Sequence, residues 1–188
     1  MVISVRELFD IVIMTLAVGY IFMDMFRARH ILLRPGFDWK TLWFACLVTA
    51  PALIAHELAH KFTALLAGLQ AVFHAAYLWL GIGVMLKLMH APFIFFVPGY
   101  VSIGCASLPC DPSPLTLAAV AFAGPALNLV LWFIGWFVTK YRYVRSKKWF
   151  LFWYVTQRIN LFLFILNMLP IPGFDGFKVY AGIWQAIA

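Results

Sequence analysis

The sequence predicts an all-α membrane protein, with about four transmembrane helices and a short re-entrant, partly β-like segment between the second and third spans. Three observations carry that expectation. Of 188 residues, 65% are hydrophobic and only 11% charged, and the mean hydropathy is +0.94. A water-soluble domain of this size cannot hide so much apolar surface, so the bilayer has to be part of its solvent. The apolar residues gather in four runs, each near the ~20 residues a helix needs to cross. A further apolar stretch is dense in glycine and proline, which argues against one continuous helix there.

The first run, Ile11–Phe26, follows "MVISVRELFD", which has no basic lead and precedes no small-residue cleavage site. It reads as a retained span rather than a signal peptide. The second run is Leu42–Leu69. After it comes "AYLWLGIGVMLKLMHAPFIFFVPGYVSIGCASLPCDPSP", punctuated by Gly81, Gly83, Pro92, Pro98, Gly99, Gly104 and Pro109. Irregular backbone at membrane depth is tolerated only when buried in protein or lining a cavity. Residues 76–110 therefore either dip into the bilayer or cross it in short pieces. The part "FIFFVPGYVSIG" is rich in β-favouring residues and predicts a strand or hairpin. The third and fourth runs are Leu115–Tyr141 and Trp149–Leu169. With no internal repeat and no low-complexity linker, residues 1–188 are expected to form one membrane-embedded domain without an appended soluble one.

The net charge of +7 gathers in two loops: Arg27, Arg29, Arg34 and Lys40, then Lys140, Arg142, Arg145, Lys147 and Lys148. Short basic stretches between apolar runs indicate membrane topology, not a nucleic-acid surface. An even number of crossings between the loops puts both on one face. Three cysteines build no disulfide framework in a chain of this length, and Cys105 and Cys110 read as small apolar packing residues. Trp132, Trp136, Trp149 and Trp153, near span ends, read as interfacial anchors.

The segment "ALIAHELAHKFTALLAG" (Ala52–Gly68) is a span that carries polar residues in its middle. A charged group at a helix centre costs roughly 3 kcal/mol on insertion scales, so such residues point to function. His56-Glu57-Leu58-Ala59-His60 is an H-E-x-x-H motif. At 3.6 residues per turn His56 and His60 share one face, one turn apart, where two imidazoles can hold one metal ion. Glu57 beside them is placed to take a proton from water activated by that metal. The competing reading, a pair of core histidines, is weakened by scarcity, because Glu7 and Glu57 are the only glutamates in the chain.

Two imidazoles leave a zinc site one protein ligand short if a position is kept for water. A downstream glutamate is excluded, and Thr63 and Leu66 occupy the glycine and histidine places of the extended H-E-x-x-H-x-x-G-x-x-H form. The remaining candidates are Asp111, Asp175, His74, His90, Cys105 and Cys110. Asp111 lies in "CDPSP" and reads as a turn or helix cap before Leu115. Asp175 lies in "LNMLPIPGFDGFKV", where Pro170, Pro172, Gly173 and Gly176 break the end of the fourth run. A broken helix is usually tolerated where it shapes a site, and an ionised carboxylate there needs a partner such as a divalent cation. Asp175 is the favoured third ligand, against a surface turn.

Depth is consistent with that choice. His56 lies about 25 Å along the second span from Trp39, and the fourth span starts from the same basic face and reaches Asp175 beyond its end. The third span runs the other way, and Asn128 lies about 20 Å along it from Leu115.

Three pieces, in this order, resemble the site-2 protease family of intramembrane zinc metalloproteases. They are His56-Glu57-x-x-His60, Gly124-Pro125-x-x-Asn128 and Asn167-x-x-Pro170-x-Pro172-x-x-Asp175-Gly176. The resemblance covers a three-helix catalytic core of about residues 42–179, with residues 1–41 an accessory first span and basic loop. It implies one Zn(2+) ion held by His56, His60 and Asp175, Glu57 as general base and acid, and Asn128 as a catalytic residue holding substrate or the oxyanion. It also implies a re-entrant β structure after the second span, where an extended substrate could pair with a strand edge. The implied activity is hydrolysis of peptide bonds in locally unwound transmembrane segments. The implied partners are a transmembrane protein substrate and the lipid bilayer, with no nucleic acid. No PDZ or nucleotide-sensing segment is recognisable, so substrate selection falls to the core or to a separate regulatory or adaptor protein. The family places zinc nearer the cytosolic face, which opposes the positive-inside rule for the two basic loops; the sequence assigns no orientation.

The competing class is a non-proteolytic metal-binding membrane protein, either a divalent-metal transporter or a regulatory pseudoprotease. Lys87, His74, His90, Arg158 and Asn160 add polar groups at membrane depth, as ion pathways do. Transport needs no glutamate at the second motif position, however. Arg158 and Asn160 read as satisfying helix partners, and Lys61 as snorkelling towards an interface. A CAAX-processing type of protease fails on the missing downstream glutamate.

Overall fold

The computed structural model describes residues 3–26, 37–91, 97–105 and 111–188. In chain order the elements are α1 (Val5–Phe22, continued by a short 3-10 helix, Met23–Phe26), α2 (Trp39–Leu66), β1 (Leu69–Ala75), α3 (Tyr77–Leu88), β2 (Gly99–Cys105), α4 (Pro114–Lys140), α5 (Lys147–Asn167) and α6 (Asp175–Ile187). Four of them, α1 with its 3-10 extension, α2, α4 and α5, are long and apolar enough to cross a membrane. The chain is a multi-pass membrane protein of mostly helical fold, and the expected β-like segment is a two-stranded sheet between the second and third spans.

The boundaries differ from expectation where local hydrogen bonding decides them. α1 starts at Val5 rather than Ile11 because Ser4 and Glu7 form a capping box. The Ser4 hydroxyl accepts the Glu7 N–H at 3.2 Å, and the Glu7 carboxylate accepts the Ser4 N–H at 2.8 Å. α2 stops at Leu66 rather than Leu69. Ala67 and Gly68 close it with backbone bonds to Thr63 and Leu65, and Leu69 opens a strand. α4 is capped by Ser113, whose hydroxyl accepts the Thr116 N–H at 3.2 Å, with Pro114 in the first turn. Asp111, expected as turn or cap, is exposed and supplies no cap. α5 ends at Asn167, ahead of Pro170 and Pro172, and α6 was not expected at all. Arg27, Arg29, Arg34, Pro92, Pro109, Cys110 and the stretch from Phe93 to Phe96 lie outside the described residues.

Two compact units are distinguished: Met1–Leu53 with Phe73–Tyr100, and Ile54–Val72 with Val101–Ala188. In the first, α1 and α3 pack together. Lys87 near the end of α3 donates to the Tyr20 carbonyl, lies 3.4 Å from the Asp24 carboxylate and stacks 4.1 Å over the Tyr20 ring. The same unit buries two acids of α1, Glu7 at 3% and Asp10 at 1% exposure. Burying a carboxylate is tolerable only with hydrogen-bond partners. Here Glu7 Oε1 accepts the Phe73 N–H at 2.8 Å, and Asp10 accepts the Ala75 N–H at 3.3 Å and the Tyr77 hydroxyl. β1 pairs with β2: just beyond β1 the Ala76 N–H bonds the carbonyl of Pro98, just before β2, at 3.2 Å, and Ser102 Oγ of β2 bonds Val72 O of β1 at 3.3 Å. Rising numbers in one strand against falling numbers in the other make the pair antiparallel. The Phe73 and Ala75 amides point the other way, where the α1 carboxylates take the place of a neighbouring strand.

In the second unit α4 is central and packs against both α5 and α6. A small core of Ala64, Leu69, Ala71 and Val120, flanked by Leu65 and Val101, joins the end of α2 to the sheet and to α4. Gly182 of α6 sits against Pro114 and Ala118 of α4. Between α5 and α6 the prolines interrupt the helix, and a Phe174 N–H to Ile171 O bond of 3.1 Å makes the turn that delivers Asp175.

Candidate metal centre

On α2 the i, i+4 spacing brings His56 Nε2 and His60 Nε2 to 3.0 Å from each other. Asp175 Oδ2 lies 3.0 Å from the first and 3.2 Å from the second. Tetrahedral coordination with bonds of 2.0–2.1 Å spaces ligand atoms about 3.3 Å apart, so the three atoms stand at the separations one small cation imposes. Their chemistry agrees. His60 Nδ1 donates to the Val120 carbonyl at 2.7 Å, and His56 Nδ1 contacts Asn128 Oδ1 at 2.5 Å. With both Nδ1 atoms acting as donors, both Nε2 atoms of neutral rings carry lone pairs. Two lone pairs and a carboxylate oxygen converging in a buried site repel one another unless a cation lies among them. Among the described residues this is the one group of three His, Cys, Asp or Glu side chains placed to share an ion.

Neighbouring backbone supplies the room. A Cβ on Gly124 of α4 would stand 2.7 Å from His56 Nε2 and 2.7 Å from His60 Cε1, so only glycine lets α4 approach the imidazole pair. Pro125, inside α4, has no N–H to give the Ala121 carbonyl, next along the helix to the Val120 carbonyl that His60 uses. Asp175 is the first residue of α6, and Gly176 presses against the end of α5, where a Cβ would meet the Met168 carbonyl carbon at 2.6 Å. The Asp175 side chain keeps 15% exposure.

The chain is 32% identical, over 176 residues, to a protein of Methanocaldococcus jannaschii named "Putative zinc metalloprotease MJ0611", and the alignment covers 94% of this chain and 84% of that relative. This chain belongs to the family of that protein. No family model matches it, and no solved structure does. The zinc in the relative's name is compatible with a His–His–Asp donor set.

The other residues singled out from the sequence are distributed as follows. Glu57 is buried on α2 next to His56. Asn128 is 0% exposed; its Oδ1 faces His56 and its Nδ2 donates to Asn160 Oδ1 at 2.8 Å. Both ends of its amide are thus engaged. His74 lies on β1 with its ring 5.4 Å from Tyr100, and His90 and Asp111 are exposed; none of the three joins the ligand group. Cys105, expected as apolar packing, is disulfide-bonded. Sequence reasoning assigned no part in the site to Gly124 or Asn160. Gly124 stood in a quoted motif, and an asparagine inside an apolar span is itself a signal. What either one touches depends on α2, α4 and α5 coming together.

Proposed function

We propose that this chain is an intramembrane zinc endopeptidase of the site-2 protease type, which hydrolyses peptide bonds in locally unwound transmembrane segments of membrane-protein substrates. The observation that carries this reading is the convergence of Asp175 on His56 and His60, which are buried together with Glu57 on a helix long and apolar enough to span a membrane. Zinc bound to His56 Nε2, His60 Nε2 and Asp175 Oδ2 would supply Lewis acidity, making water a nucleophile near neutral pH and polarising a carbonyl. Glu57 accepts the proton of the attacking water on a carboxylate oxygen and returns it to the leaving amine nitrogen. Val120 O and Asn128 Oδ1 hold the two imidazoles from behind. An oxyanion hydrogen bond from Asn128 would have to come from the second N–H of Nδ2, since the first goes to Asn160 Oδ1. The substrate's own helix shields its peptide bonds, so it unwinds before cleavage, and a separate adaptor or regulator is the partner that would present it.

The test is Glu57→Gln in proteoliposomes carrying a single-span substrate. It should keep wild-type zinc content and lose cleavage. Cleavage at the wild-type rate removes the assigned role of Glu57, and zinc flux across the vesicle without any cleavage by the wild type replaces the protease with a transporter.

A further inference from the structure

Behind His56 a line of polar groups crosses three helices. His56 Nδ1 meets Asn128 Oδ1 at 2.5 Å, Asn128 Nδ2 donates to Asn160 Oδ1 at 2.8 Å, and Asn160 Nδ2 donates to the Thr156 carbonyl at 2.8 Å. Both asparagines are 0% exposed. We infer that Asn160, on α5, is a positioning residue of the metal site: it fixes the orientation of the Asn128 amide, and through it the tautomer in which His56 presents Nε2 to the ion. The inference rests on the metal-site reading above.

Each link follows from the donor and acceptor inventory. The Thr156 carbonyl can only accept, and α5 holds its direction. It therefore faces the NH2 of Asn160, whose oxygen points the other way. That oxygen can only accept, so Asn128 must present its own NH2, which turns Asn128 Oδ1 towards His56. Facing an acceptor, His56 Nδ1 has to carry the hydrogen, and Nε2 is left with the lone pair a metal needs. His60 reaches the same state in one step, because the carbonyl of Val120 cannot flip. An asparagine amide can flip, so Asn128 alone would not fix the sense of its own hydrogen bond. Asn160 removes that freedom. A purely structural asparagine in α5 would need neither this polarity nor this aim.

The experiment measures zinc affinity by chelator competition, and the cobalt(II) ligand-field spectrum, on purified full-length protein in detergent. Asn160→Leu should weaken metal binding by up to about 10- to 100-fold, the order expected for losing Asn128, the outer-sphere partner it orients, and should alter the cobalt spectrum. Asn160→Asp, protonated at this buried position so that its hydroxyl faces the Thr156 carbonyl, keeps an acceptor towards Asn128 and should stay within about threefold of wild type. Asn128→Ala should weaken binding to a similar degree, and the double variant Asn128→Ala with Asn160→Leu should be no worse than Asn128→Ala alone, since both act through one path. Wild-type affinity in Asn160→Leu overturns the inference, as do additive losses in the double variant. If Asn160→Leu does not fold, Asn160→Ala carries the same comparison. A wild-type protein that binds no zinc overturns the metal-site reading itself, whereas tight zinc binding indifferent to Asn160 overturns this inference alone.

Discussion

Gly124→Ala tests the metal site without touching a ligand. The added methyl would stand 2.7 Å from His56 Nε2 and 2.7 Å from His60 Cε1, and closer still to His60 Nε2. Carbon atoms in favourable contact sit about 3.5–4.0 Å apart, so the methyl intrudes by about 0.8 Å or more on both rings at once. Either α4 retreats or the imidazoles swing away. Metal–ligand distances tolerate only about ±0.2 Å, so either response spoils the site. Overpacking by one methyl costs about 1–3 kcal/mol. If that cost falls wholly on the metal-bound state, affinity drops roughly 5- to 140-fold, at about 1.4 kcal/mol per tenfold. The assay is chelator competition on the purified variant together with its zinc content, and a melting curve of the metal-free protein. The metal-free melting point measures the share of the cost borne without an ion, since Asn128 and Val120 hold the two rings in either state. Wild-type affinity and full zinc occupancy in Gly124→Ala would refute the placement of an ion among these three side chains.

Three other outcomes follow from the same geometry. Asp175→Ala should release zinc while the protein stays folded, read by metal analysis after gel filtration; full retention would leave the carboxylate without a role. Gly176→Val, which changes no ligand but would push a side chain to 2.6 Å from the Met168 carbonyl carbon, should also lose zinc, because α6 could no longer seat Asp175. A variant with normal zinc content would show that α6 is positioned by something else. Asp10→Ala should lower thermal stability by about 1–3 kcal/mol, the cost of leaving a buried donor unmade, since the Ala75 amide and Tyr77 hydroxyl lose their acceptor. An unchanged melting point would argue that water replaces the carboxylate there.

The parts of this protein that were legible in its sequence are those set by local geometry. Apolar run length predicts the spans, and the four-residue interval between His56 and His60 puts both on one helix face whatever the rest of the chain does. Asp175 was legible for a different reason: acidic residues after the motif are so few that elimination nearly reaches it, and the proline–glycine break marks the place. What was not legible depends on distant pairing. Of β1 only Leu69 falls in the second apolar run, and Gln70–Ala75 carries no strand signal of its own. Once that strand was missed, nothing in "VRELFDIV" indicated that Glu7 and Asp10 would serve amides more than 60 residues away. α6 was missed because a segment following two prolines reads as a turn. Asn160 was read as a generic helix partner because its aim, towards Asn128 and so His56, exists only after α4 and α5 have packed.

That division between local and distant signals has a consequence for how the site assembles. Two of the three donors are present as soon as α2 is helical, but two imidazoles alone leave the ligand set short by one. The carboxylate arrives on a separate short helix whose start is set by the break after α5 and by the contact of Gly176 with Met168. At the first position of α6, Asp175 also lies where the helix dipole favours an ionised carboxylate, so the third donor is charged and aimed by the element that carries it. Zinc retention is therefore a report on the turn between Asn167 and Asp175 as much as on the histidine pair. The same reasoning explains why proline and glycine gather at this point. They stop α5, turn the chain, and bring a backbone close enough that the carboxylate reaches two imidazoles at about 3 Å, which a straight continuation of the fourth span could not do.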